Sequence, residues 1–237
     1  MNIFPAIDLY GKKAVRLYKG DYNQMTVYSD DPVSVALEFK KKGASFIHVV
    51  DLEGAKDGTT PNIDVVAEIA AKSDLFVEIG GGIRSMETLR RYFDAGVSRA
   101  ILGTAAVNDE EFLTAALHTY GERIAVGADV KDGYIAIKGW LEASQYSLDD
   151  FFKKMQLLGV KTIICTDISK DGAMRGTNRE MYKRLSETYS VDIVASGGVS
   201  SLADVKALRE MNLYGAIIGK AYYTGDINLS EAIEVAK

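Results

Sequence analysis

Along the chain, short runs of aliphatic and β-branched residues alternate with longer stretches in which apolar positions recur every three or four residues. The first pattern predicts strands at Ile3–Leu9, Phe46–Val50, Leu75–Ile79, Ala100–Leu102, Ile124–Val130, Thr162–Cys165, Ile193–Ala195 and Ala216–Ile218. The second predicts a helix after each: Pro32–Lys42, Asn62–Ala71, Ser85–Ala95, Asp109–Tyr120, Ser147–Leu158, Asn178–Tyr189, Ser201–Met211 and Asn228–Val235. Strand cores such as Phe46-Ile47-His48-Val49-Val50 are continuous rather than alternating, as expected of strands covered on both faces. Asp31-Pro32, Thr60-Pro61 and Ser200-Ser201 place a small polar residue or a proline at helix starts.

Eight β/α units fit either an open doubly wound sheet or a closed barrel. Internal repetition separates the two. Asp51-Leu52 recurs as Asp167-Ile168, Gly81-Gly82-Ile83 as Gly197-Gly198-Val199, and Ile101-Leu102-Gly103 as Ile217-Ile218-Gly219. Each pair is offset by 167 − 51 = 116 positions, close to half of the 237 residues. Two copies of a four-strand unit close naturally around a pseudo-twofold axis. The expected fold is therefore α/β, a single (β/α)8 TIM barrel built as a twofold repeat of half-barrels, with residues 1–237 forming one catalytic domain.

Composition narrows the chemistry. A net charge of −5 with no lysine- or arginine-rich run argues against a nucleic acid or an anionic membrane as partner. No apolar run reaches the 18 or so residues of a membrane span, and the N-terminus lacks a signal-peptide pattern, so a cytoplasmic protein is expected. Cys165 is the single cysteine, which excludes an internal disulfide and a thiolate metal cluster. With His48 and His118 the only histidines, a three-histidine zinc site is excluded and acid–base work falls mainly to carboxylates.

In a barrel the site lies in the loops after the strands. Glycine pairs there let backbone N–H groups approach an anion. Gly80-Gly81-Gly82-Ile83-Arg84 follows the third predicted strand and Gly103-Thr104 the fourth, with Arg84 as the charged member. Gly197-Gly198 follows the seventh and Gly219-Lys220 the eighth; here Ser200 replaces the arginine and Lys220 supplies the cation. Two such grips across one mouth imply a small-molecule ligand with phosphate at both ends.

Asp8 ends the first strand and Asp129 the fifth, so two carboxyls face each other between the grips, a geometry suited to acid–base work on the middle of an extended substrate. Asp171 is the best third acid, with Thr166 nearby. Asp51 and Asp167 are read as loop organisers, and Asp57-Gly58 and Asp171-Gly172 also fit turns. His48 reads as packed within its strand, His118 as a surface residue and Cys165 as a core thiol. Trp140 fits either stacking on a planar heterocycle or anchoring its own loop. The stretch from Tyr10 to Asp31, carrying Arg16 and Lys19, is long for a βα loop, as loops that close over ligands are.

Together, Pro5-Ala6-Ile7-Asp8-Leu9, Val15-Arg16-Leu17, Gly20-Asp21-Tyr22, Val50–Ala55, Gly80–Arg84, Gly139-Trp140, Thr166–Gly172 and Ser196–Val199 span the chain and resemble the phosphoribosylformimino-5-aminoimidazole carboxamide ribotide isomerases, barrel enzymes of histidine biosynthesis. The resemblance implies an Amadori rearrangement of an aminoaldose to an aminoketose on a bisphosphate, without metal, redox cofactor or obligate protein partner. It implies Asp8 as the base at sugar C2 and Asp129 as the acid that opens the ribose, with Asp171 a further carboxyl that could deliver the proton instead. A sister barrel, a cyclase fed ammonia by a glutaminase, typically carries cysteine two residues before the first aspartate, where Ala6 stands here. Dual activity on phosphoribosylanthranilate and a non-enzymatic phosphate-binding barrel are the remaining alternatives.

Overall fold

The computed structural model describes residues 1–18 and 20–237; Lys19 lies outside the described residues. The chain opens with β1 (Asn2–Tyr10), which returns as an antiparallel hairpin of β2 (Lys13–Tyr18) and β3 (Asp21–Ser29) before α1 (Pro32–Lys41). Next come β4 (Phe46–Asp51), α2 (Leu52–Asp57), α3 (Ile63–Ser73), β5 (Phe76–Gly80), α4 (Met86–Asp94), β6 (Arg99–Leu102), α5 (Thr104–Asn108) and α6 (Glu110–Tyr120). The plan of β1 repeats in β7 (Ile124–Lys131), followed by a hairpin of β8 (Tyr134–Ile137) and β9 (Glu142–Ser147) and by α7 (Leu148–Leu157). The chain closes with β10 (Thr162–Asp167), α8 (Arg179–Thr188), β11 (Asp192–Ser196), α9 (Leu202–Glu210), β12 (Gly215–Ile218), α10 (Lys220–Tyr223) and α11 (Leu229–Ala236).

Eight strands, β1, β4, β5, β6, β7, β10, β11 and β12, pair in parallel in that order, and β12 pairs back onto β1. The ring is a closed (β/α)8 barrel. Alternation along each strand sends one side chain inward and the next outward. Phe4, Ala6, Ile101, Ala125, Ile164, Val194 and Ile217 fill the interior as one apolar cluster. The outward residues, including Ile7, Val49, Ile79, Leu102, Val126 and Ile163, pack under the helices in a second, larger cluster. Strands buried on both faces explain why their sequences read as continuous rather than alternating.

The predicted strands and helices all form, with ends shifted by a residue or two. The long segments expected as plain loops after the first and fifth strands are instead antiparallel hairpins. Each strand overshoots the barrel rim and reverses through two residues with positive φ, Gly11-Lys12 (55° and 63°) and Asp132-Gly133 (52° and 85°), the conformation of a type I′ turn. Thr60-Pro61 is not the helix start it was read as. Asn62 occupies the cap of α3, with its side-chain amide committed to Asp51 and Glu53 rather than to the helix. Asp31 and Ser201 cap their helices as expected. Among the described residues no helix is long and apolar enough to cross a membrane.

The twofold repeat is visible atom by atom. Asp51 accepts from the Asn62 amide at 2.8 Å, and its counterpart Asp167 accepts from Asn178 at 2.7 Å. Gly103 and Gly219 share an unusual backbone conformation, φ −93°, ψ −106° and φ −103°, ψ −107°. A Cβ on Gly82 would lie 1.7 Å from the Gly54 carbonyl oxygen, and one on Gly198 would lie 2.4 Å from that of Gly176. These glycines let adjoining loops touch backbone to backbone at the mouth.

Candidate active site

The C-terminal ends of the barrel strands surround a cavity of about 290 Å³. Every residue singled out above for catalysis or binding lines it: Asp8, Arg16, Gly81, Gly82, Arg84, Gly103, Thr104, Asp129, Trp140, Thr166, Asp171, Gly197, Gly198, Gly219 and Lys220. The strand-end rule therefore gathers residues from seven βα connections into one place.

Asp8 is buried and receives the Arg16 guanidinium at 2.9 Å. The β1–β2 hairpin makes this contact, because it folds Arg16 back over the end of the strand that carries Asp8. Arg16 also reaches the Ala6 carbonyl at 3.3 Å and stacks 5.8 Å from the Tyr223 ring centroid. Among the described residues its Nε is buried without a partner, and its Nη2 lies 2.4 Å from where a Cβ on Gly219 would be. Glycine at 219 is thus what admits Arg16 to the mouth.

Asp129 accepts the Trp140 indole N–H at 2.7 Å and is in register with Thr166, whose hydroxyl also bonds to it. Burial pushes Asp129 above the ordinary carboxylate range, against those two hydrogen bonds. Trp140 closes over the hairpin of the other half, its ring 2.7 Å from the position a Cβ on Gly20 would take. Lys138, Gly139 and Trp140 all have positive φ (54°, 65° and 71°), a run of left-handed backbone costly for the two non-glycine residues.

Asp171 is not the simple turn aspartate that its neighbour Gly172 suggests. Burial pushes its carboxyl up to about 6; Asp8 and Asp129 push the same way, and Arg16 and Lys220 oppose them. The other acids are structural. Asp51 accepts from the Gly54 backbone N–H and from Asn62, Asp167 from Ser169 and Asn178, and Asp57 from Thr59 beside the left-handed Gly58.

Arg84 donates to the Ala55 carbonyl at 3.2 Å, beside Gly81 and Gly82 on the cavity wall. Lys220 donates to the Gly172 carbonyl at 3.2 Å on the opposite side, beside Gly197 and Gly198. Thr104 accepts from the Lys138 backbone N–H at 2.9 Å, which ties the first loop pair to the hairpin carrying Trp140.

His48 departs from its reading as a packed residue: it lines the cavity, while its Nδ1 sits 2.7 Å from the buried Glu78. Glu78 was not singled out from sequence, and neither was Tyr22, which lines the cavity and donates to the Leu52 carbonyl at 2.8 Å. His118 is exposed on α6. Cys165 is buried, and burial raises its thiol far above the usual range.

Three carboxyls between two glycine-lined loop pairs can exchange protons with a ligand and receive an anion at each end. Fold and site together define a (β/α)8-barrel enzyme of acid–base type. A profile of the histidine biosynthesis protein family matches residues 2–228, and the chain belongs to that family. It is similar over its full length to proteins named 1-(5-phosphoribosyl)-5-((5-phosphoribosylamino)methylideneamino)imidazole-4-carboxamide isomerase. The one from Clostridium beijerinckii is 50% identical over 237 residues, covering 100% of this chain and 99% of the relative. Those from Clostridium novyi and Oceanobacillus iheyensis are each 48% identical, covering 100% of both chains and 99% and 98% respectively.

Proposed function

We propose that this chain is the aldose–ketose isomerase of histidine biosynthesis that its relatives are named for, a cytoplasmic, single-domain catalyst of an Amadori rearrangement on a ribonucleotide bisphosphate. The reading rests on one observation above all. The cavity sets an arginine-paired carboxylate, Asp8, against a buried carboxyl that tends to keep its proton, Asp171, between two loop pairs that each carry a cation. A substrate with phosphate at both ends fits that spacing of charge, its ribose lying between the acids.

Asp171 protonates the ring oxygen of the ribose as the C1–O bond breaks, leaving a protonated Schiff base at C1. Asp8 then removes the proton from C2. The electron pair of the C2–H bond forms the C1=C2 double bond, and the C1=N pair returns to nitrogen. The resulting enaminol collapses to the 2-ketone as C1 takes up a proton, so the reaction is a redox-neutral isomerisation. Asp171 suits the acid role because its proton is retained toward neutral pH, whereas one Asp129 oxygen is already engaged by the Trp140 indole. Arg84 with Gly81, Gly82, Gly103 and Thr104 would hold one phosphate, and Lys220 with Gly197, Gly198 and Gly219 the other.

The test is turnover of the aminoaldose bisphosphate by the wild type and by Asp8→Asn, Asp171→Asn and Asp129→Asn. Asp8→Asn and Asp171→Asn are expected to lose about a hundred- to ten-thousandfold in kcat, the usual contribution of a positioned acid or base, with Asp129→Asn losing less. Wild-type protein that fails to isomerise but cyclises the ketose with ammonia would overturn the reading.

A further inference from the structure

Inside the barrel, three polar side chains stand in one row across neighbouring strands. His48 on β4 is in register with Glu78 on β5, and Glu78 with Arg99 on β6. Glu78 is fully buried. Its Oε2 accepts from Arg99 Nε at 3.0 Å and Nη2 at 2.5 Å, and its Oε1 faces His48 Nδ1 at 2.7 Å. Arg99 in turn donates to Thr162 Oγ1 at 3.3 Å and lies among the rings of Phe4, Phe76 and Tyr214, each within 5.2–5.6 Å of the guanidinium.

The order of donors along this row is dictated. Arginine keeps its charge and can only donate, so Glu78 faces it as an ionised acceptor. Burial alone would raise the Glu78 carboxyl; His48 and Arg99 more than offset that and hold it below the usual range. An ionised carboxylate only accepts, so the proton between Glu78 and His48 belongs to Nδ1. Among the described residues, Nε2 is the ring nitrogen left to whatever fills the cavity.

We propose that Glu78, held by Arg99, is a positioning residue that fixes the His48 proton on Nδ1 and thereby presents a bare Nε2 to a sugar hydroxyl of the substrate. The assignment to a sugar rests on the proposed function; the tautomer does not. Glu78→Gln supplies a sharp test. The two Arg99 donors demand the amide oxygen, which turns the amide NH₂ toward His48. Nδ1 must then accept, and the proton moves to Nε2, facing the cavity with a donor where the wild type has an acceptor.

With only two histidines in the chain, ¹⁵N-histidine labelling of the whole protein resolves both rings, and exposed His118 serves as the internal reference. At alkaline pH the wild-type His48 is expected to show a pyrrole-type Nδ1 and a pyridine-type Nε2, and Glu78→Gln the reverse. The same substitution should lower kcat/KM by about 10- to 100-fold, comparable to losing the orienting partner of a metal-bound histidine. In a His48→Gln background it should cost little more. A pyridine-type Nδ1 in the wild type would overturn the proposal without any variant. So would an unchanged tautomer in Glu78→Gln, or full additivity of the two substitutions. Should the wild type fail to isomerise, the functional reading falls while the nitrogen spectrum still decides the Glu78–His48 arrangement.

Discussion

In the first half of the barrel, the places on β4, β5 and β6 discussed above hold His48, Glu78 and Arg99. At the positions 116 residues later stand Ile164, Val194 and Gly215. The backbone frame is the same; the interior chemistry is not. A Cβ on Gly215 would lie 2.6 Å from Cε2 of Phe4, the same ring that flanks the Arg99 guanidinium. The apolar half therefore leaves room for the groups that cover the charged half. A closed barrel has one shared interior, so an ion row on one side need only be matched by hydrocarbon on the other.

The mouth divides its labour in a similar way. The first half supplies Asp8 and its partner Arg16, the second supplies Asp171 and Asp129. The largest effects should come from setting these against each other. With Asp171 near 6 and acting as the acid, kcat should fall as pH rises through that value, and Asp171→Asn should remove that limb along with most of the rate. Stability gives an independent reading. A carboxyl whose folded value is raised above its unfolded one stabilises the protein only while protonated, and that contribution is lost as pH rises through about 6. Asp171→Asn should therefore stabilise the fold at pH 8, by up to about 3 kcal/mol of unfolding free energy and with a correspondingly higher Tm, and leave stability unchanged near pH 3. A variant no more stable than wild type at pH 8 would remove the basis for choosing Asp171 over Asp129.

The two proposed phosphate grips place their cations differently, Arg84 on the loop after β5 and Lys220 after β12. Replacing either by alanine should raise KM about 10- to 100-fold, the worth of a hydrogen bond to a charged group, with kcat less affected. Binding of inorganic phosphate measured by titration calorimetry would show whether each loop pair is a separate site. A variant at either position with unchanged KM would mean that its half grips through backbone alone.

Much of this was legible beforehand, and what escaped did so for identifiable reasons. Strand and helix periods and the 116-residue offset sufficed for a closed barrel, and the strand-end rule sufficed to place Asp8, Asp129 and the glycine pairs at one mouth. The hairpins were missed although Asp132-Gly133 is a strong turn signal; its partner Gly11-Lys12 puts a lysine in a left-handed conformation, which propensity does not suggest. Without the first hairpin, the Arg16–Asp8 ion pair could not be foreseen. Helices α2, α5 and α10, of four to six residues, are too short to show a period. His48 was misjudged because a continuous apolar run hides which residues of a strand face inward.

Below the mouth, the matched aspartates Asp51 and Asp167 test how far the halves share their mechanics. Asp51 is fully buried, and removing its carboxylate strands the Gly54 N–H and leaves the Asn62 amide with Glu53 in place of two carboxylate partners. Asp51→Ala should cost about 2–3 kcal/mol, the penalty of orphaned buried donors. Asp167→Ala strands Asn178 and Ser169, which lie nearer solvent, and should cost about 1–2 kcal/mol. Urea unfolding of both variants checks the order; equal losses would mean that water does not relieve the second site.

The smallest expected difference lies at the helix caps after the glycine pairs. Ser85 and Ser201 have nearly the same backbone, φ −151°, ψ 156° and φ −150°, ψ 160°, and each accepts from the backbone N–H three residues on. Loss of such a cap costs about 1 kcal/mol, and that much is expected of Ser85→Ala. Ser201 does more, since its hydroxyl also bonds the Asp204 carboxylate, which is buried and holds Ser200 and Arg179. Ser201→Ala should therefore exceed Ser85→Ala by several tenths of a kcal/mol, on the order of one weak hydrogen bond. Asp204→Ala introduced first should bring the two cap losses close together, because it removes the carboxylate bonded to the Ser201 hydroxyl, where Ser85 has the flexible hydroxyl of Thr88, and leaves the backbone cap of both serines in place. If the losses still differ in that background, the asymmetry resides in the β11–α9 loop itself, where Ser200 stands in place of Arg84.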